Sequence, residues 1–195
     1  QTLLIDPGMM TPALDNLTAV HAVVLTHEHP DHWTPAHLDT ILAASPDVPI
    51  FAPQGVADAA TGYNITVVNP GDTVTVDAFT LQFFGGEHAV IHSSIPVIDN
   101  VGVLVNGSFY YPGDSYALPG DAPVELLAAP VGAPWLKIGE AMDFVLAVKP
   151  KKAFGTHDAT LSAFGLGMGR ARLKWCVEQN AGEFFELDAG DTINL

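Results

Sequence analysis

The sequence has little cysteine, little positive charge and no long apolar run. Its single cysteine, Cys176, excludes an intrachain disulfide, and a reducing compartment is expected. Seven Lys and Arg residues stand against 22 Asp and Glu residues, and the formal charge of −15 disfavours binding to phosphate backbones or anionic lipid surfaces. No stretch approaches the roughly 18 apolar residues of a membrane span. We therefore expect a cytoplasmic protein with a small-molecule substrate and without a nucleic-acid or membrane partner; homo-oligomerisation stays open.

The composition that remains is that of a globular domain. Apolar residues make up 48% of the 195 residues and charged residues 15%, so the chain has enough apolar side chains for one sizeable core. We expect a single domain over residues 1–195. Because Gln1 runs directly into an apolar strand, we also expect the domain to have further residues before it. Cys176 lies in a helical pattern and is expected to be a buried, inert thiol.

Short strands broken by Gly, Pro, Asn and Asp alternate with a few helices. Thr34 followed by Pro35 predicts a helix start, and Asn106-Gly107 predicts a β-hairpin. Residues 66–68, 73–76 and 80–84 resemble an antiparallel meander, and further helices are predicted at 54–60, 140–148 and 162–179. Closing strands are predicted at 183–187 and 192–195. The pattern indicates a mixed α/β (α+β) chain whose core lies between two sheets, with helices on the outside.

The stretch T-H-E-H-P-D-H, residues 26–32, follows an apolar strand and concentrates imidazole and carboxylate groups. His27 and His29 are two residues apart, so in an extended segment their rings leave the same side. Asp31 and His32 follow a proline that turns the chain towards a second point. Nitrogen and carboxylate donors suit Zn²⁺, with Mn²⁺ or Fe as alternatives. Four donors exceed what one ion usually takes from one short loop, which points to two adjacent metal ions.

Simpler interpretations exist for the same stretch. It could be a solvated polar loop, its histidines could cap the following helix, or the cluster could arise by chance among eight histidines. His21 and His37 are better explained by surface or packing roles.

The stretch H-E-H-P-D-H resembles the H-x-H-x-D-H signature of the metallo-β-lactamase superfamily, and other segments resemble that superfamily's motifs in the same order. These are L-I-D-P-G at 4–8, G-E-H at 86–88, Y-P-G-D-S at 111–115 and F-G-T-H at 154–157. Within the superfamily, the spacing and residues 130–149 resemble the L-ascorbate-6-phosphate lactonase-like branch. The resemblance implies a four-layer αββα sandwich, here without the family's first two strands before Gln1.

The resemblance also implies a ligand set. The first metal would be held by His27, His29 and His88, and the second by Asp31, His32 and His157. Asp114 would bridge both ions, and Asp6 would support them from behind. His92 follows His88 closely, so either could be the third ligand of the first metal, with His88 favoured because it comes right after a strand.

The implied activity is hydrolysis. Two divalent ions would activate a shared hydroxide to attack a small ester, lactone or phosphodiester, with Asp31 as both ligand and proton acceptor. Trp135, Lys137 and Asp158 are further candidates for contact with the substrate or with the ligands. The alternative is a redox or non-catalytic metal-binding protein on the same fold. Against redox chemistry, His29 stands where diiron relatives have an acid.

Overall fold

The computed structural model describes residues 1–14, 17 and 19–194, and within them eleven strands and four helices form. The strands are β1 Thr2–Ile5, β2 Val20–Val24, β3 Ile50–Ala52, β4 Ile65–Val67, β5 Thr73–Val76, β6 Phe79–Glu87, β7 Asp99–Val105, β8 Phe109–Tyr111, β9 Leu126–Pro130, β10 Lys152–Thr156 and β11 Glu183–Phe185. The helices are α1 Pro35–Ala44, α2 Gln54–Ala59, α3 Ile138–Val148 and α4 Ala163–Glu178. Over the described ranges, no helix combines the length and apolar character that a membrane crossing requires.

The first sheet contains four parallel strands in the order β1-β2-β3-β4. Helices α1 and α2 form the crossovers from β2 to β3 and from β3 to β4. Helix α1 begins where the sequence predicts, because the Thr34 side chain accepts a hydrogen bond from the His37 backbone N–H and Pro35 occupies the first turn. Its inner face buries Leu38 and Ile41.

The second sheet contains seven strands in the order β11-β10-β9-β8-β7-β6-β5. Strands β5 to β8 are antiparallel neighbours, and β8 to β11 are parallel neighbours. The hairpin between β7 and β8 turns at Asn106 and Gly107, whose φ angles of 52° and 62° lie in the left-handed region. Asn and Gly adopt that region at least cost, so the predicted hairpin is confirmed.

Three apolar layers separate four layers of secondary structure. In β2, Val23 packs towards α1 and α2 while Val24 packs towards the second sheet, since successive strand residues face opposite sides. The two sheets meet through Phe51, Leu81 and Phe83 among others. The third layer, between the second sheet and helices α3 and α4, includes Leu127, Phe144, Leu173 and Cys176. The predicted αββα sandwich and the buried Cys176 are confirmed.

Two strand predictions are wrong in detail. Residues 66–68 were expected in an antiparallel meander, but β4 pairs in parallel with β3 in the first sheet. The α2 crossover carries the chain back alongside β3, which a short apolar run cannot reveal. Residues 192–194 form no strand, and Leu195 lies outside the described residues.

Candidate metal centre

The residues predicted to bind metal follow the carboxyl ends of strands from both sheets. Strand β7 is antiparallel to β6 and β8, and β9 and β10 continue parallel to β8, so β6, β8 and β10 end at one edge. His88, Asp114 and His157 follow these three strands. The 27–32 segment follows β2, and Asp6 follows β1. The sandwich therefore brings widely separated parts of the chain to one edge.

Local backbone geometry at this edge is unusual. Asp6 and His157 have φ angles of 49° and 58°, a region that costs non-glycine residues free energy and that surrounding contacts must maintain. Gly113, directly before Asp114, has φ 63°, and a Cβ there would collide with the side chain of Asn100. The turn that presents Asp114 therefore requires glycine.

The segment after β1 packs directly over the histidine loop. A Cβ on Gly8 would overlap the carbonyl group of Asp31, and the Met9 backbone N–H donates to the Pro30 carbonyl at 2.9 Å. This close approach of two backbones explains the glycine of the D-P-G turn, and it fixes the loop that carries Asp31.

The first group of donors contains His27, His29 and His88. One ligand atom from each lies within 4.8 Å of those of the other two. His27 Nε2 is 3.1 Å from His29 Nδ1. Burial lowers the pKa of His27 to about 2, so its ring is neutral and able to act as a ligand.

The second group contains Asp31, His32 and His157, whose ligand atoms also lie within 4.8 Å of one another. Asp31 Oδ2 is 3.3 Å from His157 Nε2 and 4.0 Å from His32 Nε2. The His32 side chain is almost fully buried, whereas 34% of the Asp31 side chain is exposed. This side of the centre is therefore the one open to solvent.

Asp114 lies between the two groups. Its Oδ2 is 3.5 Å from His88 Nε2 in the first group and 3.2 Å from His157 Nε2 in the second. Its Oδ1 is 3.2 Å from His32 Nε2. The Trp135 indole N–H donates to Oδ2 at 2.8 Å, so an outer residue holds the orientation of this carboxylate.

Three of the imidazoles are oriented by their outer nitrogens. Each Nδ1 lies at hydrogen-bonding distance from a fixed oxygen: His32 at 2.6 Å from Asp6 Oδ2, His88 at 2.6 Å from Ala89 O and His157 at 2.7 Å from Gly132 O. A proton on Nδ1 leaves Nε2 with a lone pair directed at the centre, which is the arrangement that metal-binding histidines require.

The inward atoms fit a cation. Within the described part of the chain, Nε2 of His32, His88 and His157 and Oδ1 of Asp114 are buried without a hydrogen-bond partner. Buried polar atoms are normally satisfied, and a convergent set of such atoms matches the nitrogen and oxygen donors of a divalent transition metal. These residues form a candidate His/Asp metal site.

Without a cation, protons on two imidazoles offset the carboxylates. Burial lowers the pKa of His32, but Asp6 and Asp114 outweigh it and raise that pKa to about 10. Burial also lowers the pKa of His157, whereas Asp114 and Asp31 raise it to about 11. The imidazole of His157, whose Nε2 is 3.3 Å from Asp31 Oδ2, lowers the pKa of Asp31 to about 2. The site is built around positive charge, whether that charge comes from protons or from metal.

Comparison with known proteins shows the family of this chain. A family model described as a beta-lactamase superfamily domain matches residues 1–157, well over half of the chain. The chain belongs to the metallo-β-lactamase superfamily. The L-ascorbate-6-phosphate lactonase-like branch stays a prediction.

Several known proteins are similar to this chain over most of its length. Protein Rv0786c of Mycobacterium tuberculosis is 38% identical over 176 residues, which span 88% of this chain and 82% of that protein. Igni18, a metallo hydrolase from Ignicoccus hospitalis, matches with a TM-score of 0.72 and 18% identity over 98% of this chain and 89% of its own. CmlA, a diiron β-hydroxylase from Streptomyces venezuelae, matches with a TM-score of 0.68 and 13% identity over 96% of this chain and 49% of its own. The two structures show the shared fold.

The remaining candidates fall inside and outside the centre. His92 is exposed, with Nδ1 at 2.7 Å from Ser94 Oγ, so the structure brings His88 and not His92 to the metal site. Trp135 was expected to contact either substrate or ligands; it is buried, and its contact is with Asp114. Lys137 is exposed at the start of α3. Asp158 pairs with Arg170, at 3.3 Å between Oδ2 and Nη2, rather than with an imidazole.

Sequence reasoning missed three supporting residues. Asn100 is fully buried, and its Oδ1 accepts the Asp114 backbone N–H at 3.0 Å. Thr26 donates from both its backbone N–H and its hydroxyl to the Asp6 carboxylate. Arg170 anchors Asp158. Thr26 stands beside the histidine cluster and could have been singled out, whereas Asn100 and Arg170 carry no signal in the sequence.

Proposed function

We propose that this superfamily member is a dinuclear metal-dependent hydrolase acting on a small ester, lactone or phosphodiester. The observation that carries the proposal is the position of Asp114 Oδ2, within 3.5 Å of His88 Nε2 and 3.2 Å of His157 Nε2. A carboxylate that lies between two separate donor groups can be shared by a pair of metal ions.

The first ion would be held by His27, His29 and His88, the second by Asp31, His32 and His157, with Asp114 shared. Zn²⁺ suits this nitrogen-rich set best, with Mn²⁺ or Fe as alternatives. Bound divalent ions would lower the pKa of a water molecule and polarise the substrate oxygen.

The protein's own contribution is to position groups and to accept a proton. Asp6 holds the His32 ring through Nδ1, and Trp135 holds the Asp114 carboxylate. Asp31 is the partly exposed carboxylate of the centre, so its outer oxygen can accept a proton from an attacking water.

The fold similarity to CmlA, a diiron β-hydroxylase, makes iron worth measuring. His29 occupies the second position of the H-x-H pair, where a redox site of that kind is expected to have an acid. We therefore favour hydrolysis over redox chemistry.

The test combines metal analysis of the purified protein with a panel of ester, lactone and phosphodiester substrates, assayed before and after chelation. We expect about two ions per chain, and hydrolysis that chelation abolishes and metal restores. Fewer than one ion per chain, with every ligand residue intact, would contradict the dinuclear assignment. Oxygen consumption by the iron-loaded protein, without hydrolysis of any substrate in the panel, would favour the redox alternative.

A further inference from the structure

A cavity of about 250 Å³ opens beside Asp31, His32 and His157, on the exposed side of the centre. This volume lies below the roughly 300–1,000 Å³ typical of drug-sized ligand sites, so the cavity suits a small molecule. Its remaining walls include uncharged side chains, namely Met10, Thr11, Tyr111, Ala159, Thr160 and Ala189.

No lysine or arginine lines this cavity among the residues that the structure describes. The whole sequence has seven such residues, and all of them lie between positions 137 and 174. Lys149, Lys151 and Lys152 precede or begin β10, at the opposite end of that strand from His157. Arg172 and Lys174 are exposed on α4. Lys137 and Arg170 therefore remain as the basic side chains that could neutralise an anionic substrate.

Arg170 is already committed to protein carboxylates. Its side chain is only 10% exposed, with Nη1 at 3.1 Å from Asp188 Oδ1 and Nη2 at 3.3 Å from Asp158 Oδ2. It also donates to the Leu187 carbonyl. The guanidinium therefore holds Asp158 and the 187–188 segment in place. Its charge is paired with two protein carboxylates and is not available to a ligand.

Carboxylates counteract the positive charge at the cavity. Asp6, Asp31 and Asp158 line it, Asp158 being paired with Arg170, and Asp114 Oδ2 lies 3.2 Å from His157 Nε2. Asp6, Asp31 and Asp114 carry three negative charges against the four positive charges of two divalent ions, so they offset most of that charge. An anion would find little net attraction here, whereas an uncharged carbonyl compound needs none.

We propose that this cavity takes a small uncharged ester or lactone and discriminates against phosphorylated and other anionic substrates. This narrows the proposed function, on which it rests, from three substrate classes to the two neutral ones. Met10 and Thr11, which line the cavity, would contact the substrate.

The first test compares two esters of equal acyl chain length, one of which ends in a carboxylate. For the metal-loaded protein, kcat/KM for p-nitrophenyl hexanoate should exceed that for p-nitrophenyl hydrogen adipate by more than about tenfold, because the adipate adds one carboxylate to a site rich in carboxylates. Bis(p-nitrophenyl) phosphate should also be a poor substrate. Equal rates, or a preference for either anion, would overturn the inference.

A second test needs no turnover. The ¹³C-methyl NMR signal of Met10 in the metal-loaded protein, assigned with Met10→Leu, is followed during titration with δ-valerolactam and with dimethyl phosphate. The neutral lactam should shift the Met10 signal saturably and leave Met142, in α3, unchanged. A saturable shift caused by dimethyl phosphate alone would contradict the proposal.

Two variants give further tests. Met10 is 55% exposed, so Met10→Lys should fold, and it should raise the adipate-to-hexanoate ratio of kcat/KM by adding a cation at the cavity wall. Lys137→Gln should leave that ratio unchanged; a fall in adipate or phosphodiester turnover would show that Lys137 recruits anions.

Failure of this inference can be told apart from failure of the proposed function. Metal-dependent hydrolysis with the phosphodiester preferred overturns the inference and retains the hydrolase. If no substrate is hydrolysed, the hydrolase proposal fails, and the lactam and phosphate titrations still decide whether the cavity selects neutral ligands.

Discussion

Asp114 is the residue whose side chain contacts both donor groups of the candidate metal centre. Its two oxygens face imidazoles of both donor groups, and its backbone is fixed by Asn100. We expect Asp114→Ala to reduce bound metal from about two ions to one or fewer, and to lower hydrolysis by more than about 100-fold, because both ions lose a shared ligand. Metal content by mass spectrometry, with Asp47→Ala at an exposed position as the control, tests this. Unchanged activity would refute the bridging role.

Trp135 acts on the centre through Asp114. Trp135→Phe keeps an aromatic ring against Tyr116 and His88 but removes the indole donor. Loss of an outer hydrogen bond typically costs about 10- to 100-fold in metal affinity, and we expect a loss in that range. Competition with a chromophoric chelator measures it. Trp175→Phe, on the exposed face of α4, is the matched control, and equal affinities in the two variants would show that the Asp114 contact is unimportant.

At the level of single residues, the sequence predicts the metal ligands that lie close together in the chain or within a recognisable motif. The 27–32 cluster is visible because its four donors are adjacent, and His88, Asp114 and His157 are visible because each ends a strand within a recognisable motif. The Trp135–Asp114 bond is not visible, since the two residues are 21 positions apart and nothing in either segment encodes the contact. Asn100 is hidden for the same reason.

Among elements, the segment after β1 packs closely against the histidine loop, with the backbone of Gly8 beside Asp31. Gly8→Ala should displace the 27–32 loop and lower metal content and stability together, because the Cβ has no room. Gly139→Ala is a suitable control, because no atom lies within 4 Å of the added Cβ and the residue sits in α3. That control should be unchanged or more stable by about 0.5–1 kcal/mol. Urea denaturation of both variants measures the difference; a Gly8→Ala protein as stable and as metal-rich as the parent would contradict the packing argument.

Elements were predictable where their signals are short-range. Thr34 and Pro35 define the start of α1, and Asn106-Gly107 defines the hairpin, since each depends on neighbouring residues alone. Strand β4 was assigned to the wrong neighbour because its partner, β3, is chosen by the α2 crossover and by burial. Pairing of that kind is a tertiary outcome that a run of three residues does not encode.

For the whole molecule, metal and stability should be linked. The donors come from loops of both sheets, so bound ions would connect the two halves of the sandwich. At a free concentration of about 100 times Kd, each ion would add about 2.7 kcal/mol. For a chain of this size, chelation should then lower Tm by roughly 5–10 °C per ion. Differential scanning fluorimetry with and without chelator measures the shift, and Asp114→Ala should show a smaller one. An unchanged Tm in the parent protein would argue against ions that bind tightly.

The crowding of donors between His27 and His32 has a consequence for the unfolded chain. These four groups stay close together even without any fold, so the denatured protein retains a chelating peptide. Metal bound there would stabilise the wrong state and reduce the net gain on folding. Only the distant partners His88, Asp114 and His157 distinguish the native state from this peptide. Excess metal during refolding should therefore slow folding. The stage at which the chain binds metal, before or after the fold has formed, then affects how readily the native state is reached.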